Sequence, residues 1–146
     1  HVAGCTGATS ERVVQKMFGL PDHAMLDMGD FSGGLLKYLR KHPVSRITVG
    51  GGIGKITKLA QGAVDLHSSR SQVDFEELNV MAMHLRLKDV SKANTALEAI
   101  QIAGQRLAQE IAVMAKASVE TQLKGSNVAV DIVVIDRAGN VLGYAQ

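Results

Sequence analysis

The chain has 146 residues, 46% of them hydrophobic, and carries 16 basic against 14 acidic side chains for a formal net charge of +2. That length supports one ordinary core, so a single domain over residues 1–146 is expected. The interspersed charges and 3% aromatic content lack the basic footprint and stacking platforms of a nucleic-acid binder. Cys5 is the single cysteine. It excludes an internal disulfide framework and a paired-cysteine metal site, and it fits a reducing, cytoplasmic compartment. No apolar stretch approaches the roughly 20 residues of a membrane helix, so no membrane partner is expected.

The sequence opens at His1 with a strand already in progress, which reads as the start of a piece of a longer protein. Residues 2–5 form the first apolar run. "GCTGATSE" follows, where Thr9 or Ser10 could cap a helix with Glu11 in its first turn. Val13, Val14, Met17 and Phe18 then mark one helical face, and "GLPD" stops it. "HAMLDMGD" predicts a second strand, "FSGGLLKYLRKH" a second helix, "SRITVGGG" a third strand and "GKITKLAQG" the helix after it. Short strands alternating with helices imply a parallel sheet with helices on both faces, a three-layer α/β sandwich. Its consequence is positional. "GCTGATS", "MGD" and "GGGIGK" would meet at the carboxyl ends of adjacent strands, where open α/β sheets bind ligands.

Past the loop "DLHSSRSQV", residues 74–87 read as helical, and residues 91–124 as one or two helices. Leu97, Ile100, Gly104, Leu107, Ile111, Met114 and Ser118 form a stripe that packs on the sheet or, alternatively, seams a homo-oligomer. "NVAVDIVVID", "RAGN" and "VLGYA" predict a terminal antiparallel strand pair about a tight turn.

The glycine-rich stretch at residues 50–55 is not a nucleoside-triphosphate loop. Aligned on Gly54-Lys55, Val49 stands at the first glycine position and Ile56 at the magnesium hydroxyl position. A dinucleotide fingerprint from Gly50 and Gly52 would need glycine at Lys55. What remains is a strand turning into a helix whose N-terminal N–H groups suit a carboxylate, with Lys55 and Lys58 adding charge. The alternative is a plain turn, although Gly50, Gly51 and Gly52 in succession exceed what a turn needs. Gly4 and Gly7 allow close backbone approach one strand earlier, and Thr6, Thr9 and Ser10 offer hydroxyls. Asp30 could accept from a ribose or an amine, or cap a helix. His67 is placed for acid–base work, and Arg70 can hold a carboxylate with two parallel bonds, unless both are ordinary surface residues. No spacing of His, Cys or paired carboxylates suggests a metal site.

"GCTGATSE", "MGDFSGGLLK", "ITVGGGIGKITKLAQG", "LHSSRSQVDFE" and "ANTALEAI" occur in an order that resembles the C-terminal part of the CbiD family, the cobalt-precorrin-5B C1-methyltransferases of anaerobic cobalamin biosynthesis. The "GK-x-x-K-L-A-x-G" segment followed by His and Asp is the specific part, and the likeness fades after about Leu123. The resemblance implies methyl transfer from S-adenosylmethionine to C1 of cobalt-precorrin-5B, giving cobalt-precorrin-6A, with no protein-bound metal. It implies cofactor contacts at Gly4, Thr6, Gly7, Ser10, Asp30, Gly50, Gly51 and Gly52. Substrate contacts fall at Lys55, Lys58, His67 and Arg70, and catalytic roles at His67 and Asp74. It also implies an N-terminal domain as partner. The rival is a non-catalytic ligand-binding or assembly domain with a dimerising helix.

Overall fold

A computed structural model describes residues 1–146. Five strands form one mixed sheet in the order β2-β1-β3-β4-β5, with β1 (Val2–Cys5), β2 (Met25–Leu26), β3 (Arg46–Gly52) and β4 (Ala129–Ile135) parallel and β5 (Val141–Ala145) antiparallel to β4. The helices are α1 (Ala8–Phe18), α2 (Ser32–Lys41), α3 (Ile53–Ala60), α4 (Phe75–His84), α5 (Ala96–Ala103) and α6 (Gln105–Gln122). This is the three-layer α/β arrangement with a terminal antiparallel pair that the alternation of apolar runs implies.

Alternation along the strands assigns the two faces. Ala3, Cys5, Val133 and Ile135 pack with Val14 under α1, which covers one face alone. Ile47, Val49, Val130, Ile132 and Val134 join the main core under α2 to α6. Leu107 and Ile111 of α6 are wholly buried there, each contributing about 2 kcal/mol through the apolar area removed from water.

Glycines set two helix ends. Gly19 takes φ 61°, and its N–H and that of Leu20 both reach the Gln15 carbonyl, closing α1. Gly104 takes φ 95° and ψ 173°, a conformation reserved for glycine, and separates α5 from α6.

Several expectations change in detail. The stripe from Leu97 to Ser118 crosses this break and is not one packing face. The buried line on α6 runs Leu107, Ala108, Ile111, Ala112, Ala115 and Val119, whereas Met114 is exposed. Neither Thr9 nor Ser10 caps α1. Gly7 is the cap residue, and the Ser10 hydroxyl donates back to the Gly7 carbonyl at 2.8 Å. The second strand is only two residues long. No helix is long and apolar enough to cross a membrane.

Candidate functional site

The carboxyl ends of β1, β3 and β4 open into a cavity of about 460 Å³. Three helices begin on its wall: α1 at Gly7 and Ala8, α3 at Gly52 and Ile53, and α5 at Thr95 and Ala96. Each start presents unpaired backbone N–H groups and about half a positive charge. Lys55 and Arg137 add two cations, and Asp136 is the one carboxylate of the lining. Thr6, Thr9 and Ser10 line it with hydroxyl-bearing residues, while Leu97, Ile53 and Ile135 supply an apolar side.

Asp136 is held inside the β4–β5 turn. Its Oδ1 accepts from the Ala138 and Asn140 N–H groups, both at 2.9 Å, and its Oδ2 accepts from Asn140 Nδ2 at 2.8 Å. The Asn140 side chain, then backbone N–H donors, hold this carboxyl below its ordinary range. Thr95 caps α5 by accepting from the Glu98 N–H at 3.0 Å, so the helix start is fixed where it meets the cavity.

Of the residues singled out in the sequence for the site, Thr6, Gly7, Thr9, Ser10, Gly52 and Lys55 line this cavity. Gly7 and Gly52 have nothing within 4 Å of where a Cβ would stand. Gly4, Gly50 and Gly51 do not line it. A Cβ would lie 2.5 Å from Leu35 Cδ2 at Gly4, 2.6 Å from Val14 Cγ2 at Gly50 and 2.7 Å from Thr6 Oγ1 at Gly51. These three glycines let side chains of the neighbouring layers close onto the strands.

Asp30 follows β2 and forms an ion pair with Lys55, Nζ to Oδ1, at 2.5 Å. Lys58 sits inside the protein and does not line the cavity. Its ammonium donates to the carbonyls of Leu66 at 2.6 Å and Ser71 at 3.2 Å, and desolvation lowers its pKa against the opposing pull of Asp30. It ties down the loop of residues 65–71, which is also anchored by the Leu66 N–H on the Asp30 carbonyl at 2.7 Å. On that loop His67 and Arg70 are exposed. The imidazole Nδ1 of His67 accepts from the Ser69 N–H at 3.1 Å. Asp74 caps α4, accepting from the Glu77 N–H at 3.0 Å. Neither His67 nor Asp74 lines the cavity, so the structure does not bring them together with Lys55 there.

Sequence reasoning missed Thr95, Ala96, Asp136 and Arg137. Strand order carries in Asp136 and Arg137, because β4 pairs with β3 and its turn therefore lies beside the α3 start, while Thr95 and Ala96 arrive on the start of α5, which packs against α3. "RAGN" after a long apolar run was the available signal, read only as a hairpin turn.

The family model for the CbiD C-terminal domain matches residues 65–146. The chain belongs to the CbiD family. It is 51% identical over 150 residues to a cobalt-precorrin-5B C(1)-methyltransferase of Brucella anthropi, covering 97% of this chain and 41% of that protein. Proteins of the same name from Paramagnetospirillum magneticum and Brucella ovis are each 49% identical, covering 100% and 97% of this chain and 43% and 41% of theirs. The chain thus spans about two fifths of the length of these curated relatives. The match runs to Gln146, so family similarity does not end near Leu123 as the motifs alone imply. No solved structure matches.

Proposed function

We propose that this chain is the C-terminal part of an S-adenosylmethionine-dependent methyltransferase that acts on C1 of cobalt-precorrin-5B in cobalamin biosynthesis, giving cobalt-precorrin-6A, and that the cavity at the β1, β3 and β4 ends takes the methyl donor. The observation that carries this reading is the convergence of three helix N-termini with Lys55 on one cavity, in a chain half-identical to enzymes named for that reaction. The donor's carboxylate suits those N–H groups and the Lys55 ammonium. Its ribose suits the hydroxyls of Thr6 and Thr9, and the apolar side at Leu97 and Ile135 suits a base.

The donor supplies an electrophilic methyl group on sulfur. The work left to the chain is to position that methyl, exclude water and hold the substrate in line, which needs few diagnostic catalytic side chains. Gly52 keeps the wall open at the α3 start, and Asp136 fixes the β4–β5 turn that closes the far side. His67 and Arg70, on the loop pinned by Lys58, would meet the substrate's periphery, and the rest of the longer enzyme would complete the covering of the reaction. The chain alone is expected to bind the donor with or without turnover.

Calorimetric titration with S-adenosylmethionine, S-adenosylhomocysteine and ATP tests the assignment. Saturable binding of both sulfur nucleosides and not ATP is expected. ATP binding in preference to both would overturn it.

A further inference from the structure

A second groove of about 290 Å³ lies beside α2, lined by Phe31, Gly33, Lys37, Arg40, Val64 and Gln122. Its lining holds two cations and no carboxylate. Phe31 is 59% exposed and Val64 48% exposed, so large apolar groups face water here. The exposure is nevertheless ordered. A Cβ on Gly34 would stand 2.8 Å from Phe31 Cδ1 and Cε1, so the ring packs against a helix turn that has no side chain there, and Gly33 lets Val64 close on the same turn, with its N–H bonded to the Val64 carbonyl at 2.8 Å. Two adjacent glycines thus build a preset aromatic platform. Lys37 and Arg40, three residues apart on α2, flank it on one side of the helix.

The groove is linked to the cavity along the chain. Phe31 directly follows Asp30, whose carboxylate pairs with Lys55, and Lys55 lines the cavity.

We propose that this groove is the substrate platform: the macrocycle face of a tetrapyrrole rests on Phe31 and Val64, and its peripheral carboxylates are held by Lys37 and Arg40. The proposal rests on the methyltransferase reading above and names the place of its substrate. A flat apolar ring system bearing several carboxylates matches this surface in both respects. The ring supplies a face for the Phe31 platform, and the carboxylates supply charge opposite to Lys37 and Arg40.

The test uses the 146-residue chain and two corrins of the same ring, each with cobalt(II) so that one face carries no axial ligand, cobyrinic acid with free carboxylates and cobinamide with amides in their place. Binding is followed by visible absorbance and calorimetry. Cobyrinic acid is expected to bind more tightly than cobinamide. Lys37→Glu with Arg40→Glu is expected to weaken its affinity by about tenfold or more, and Phe31→Ala to weaken both corrins. Arg12→Glu with Lys16→Glu, an equal charge change on exposed positions of α1 across the sheet, is expected to leave it unchanged. Circular dichroism checks that each variant folds. Equal effects of the two charge reversals would overturn the proposal, as would equal binding of the two corrins. Absence of corrin binding by the wild-type chain would also overturn it. S-adenosylhomocysteine binding, measured on the same samples, separates the two readings: retained nucleoside binding without a corrin effect rejects the platform alone, and loss of both rejects the methyltransferase assignment with it.

Discussion

The Lys55 ammonium lies 2.5 Å from Asp30 Oδ1 and 3.4 Å from the Thr6 carbonyl, linking the α3 start to the segments after β1 and β2. Both side chains are partly exposed, so the pair contributes little to folding, within about 1 kcal/mol. Its value lies in placing a cation on the cavity wall. Lys55→Met is expected to keep the unfolding midpoint nearly unchanged while weakening S-adenosylhomocysteine binding by about tenfold. A parallel thermal melt and calorimetric titration check both halves, and a variant that binds normally would remove Lys55 from the site.

The glycines of β3 separate into two kinds, and substitution distinguishes them. A Cβ at Gly50 would meet Val14 Cγ2 at 2.6 Å and Cys5 Sγ at 3.1 Å. Gly50→Ala therefore forces the α1 layer off the sheet, at a cost of about 1–3 kcal/mol. Gly52→Ala meets nothing within 4 Å, and φ −66° suits any residue. Urea unfolding is expected to show a clear loss for the first and almost none for the second.

Asp131 is wholly buried on the α1 side of β4, near the amino ends of the strands and away from the cavity. Its Oδ1 accepts from Arg46 Nη1 at 2.6 Å and its Oδ2 from Thr48 Oγ1 at 3.1 Å, and that hydroxyl also lies 2.7 Å from His1 Nε2. Removing the carboxylate leaves both donors without their acceptor. Asp131→Ala is expected to lower unfolding free energy by about 3 kcal/mol without changing nucleoside affinity, and equilibrium denaturation together with titration would show it.

Cys5 is buried at the end of β1, and burial pushes its thiol pKa up to about 12. It is therefore protonated and shielded at ordinary pH. Alkylation by iodoacetamide at pH 8 is expected to proceed only after denaturation. Rapid labelling of the folded chain would contradict the buried placement.

Asp136 gives a pH dependence of known sign. Its folded pKa lies below the ordinary value of 3.8 because Asn140 and backbone N–H groups bond the ionised form. The stability it adds is present in full above 3.8 and is lost as pH falls through the lower folded value. Asp136→Asn is expected to be less stable than wild type at neutral pH, with the difference vanishing in acid. Denaturation curves from pH 7 down to pH 2 measure that convergence.

The alternating core was legible because apolar runs such as "RITV" end in glycine and the helices after them carry apolar residues at three- and four-residue spacing. The α5–α6 break was not, because apolar spacing passes through Gly104 unchanged while the chain turns on that residue's φ. Local spacing also could not tell which glycines serve packing. Gly50 and Gly51 look like Gly52 in sequence and differ only in what stands beside them, Val14 and Thr6 in one case and open space in the other. Arg137 reaches the cavity through strand order and Thr95 through the packing of α5 on α3, relations between segments far apart in the chain. Lys58 reads as a cation for a bound carboxylate until the Leu66 and Ser71 carbonyls are seen around it.

The most direct measurement is titration of S-adenosylhomocysteine into the wild-type chain and Gly52→Leu, with circular dichroism on both. The leucine would project from the α3 cap residue into the open wall without touching the core. Saturable binding by wild type, lost in a variant that remains folded, is the predicted result. Equal binding by the two proteins would contradict the placement of the methyl donor in this cavity.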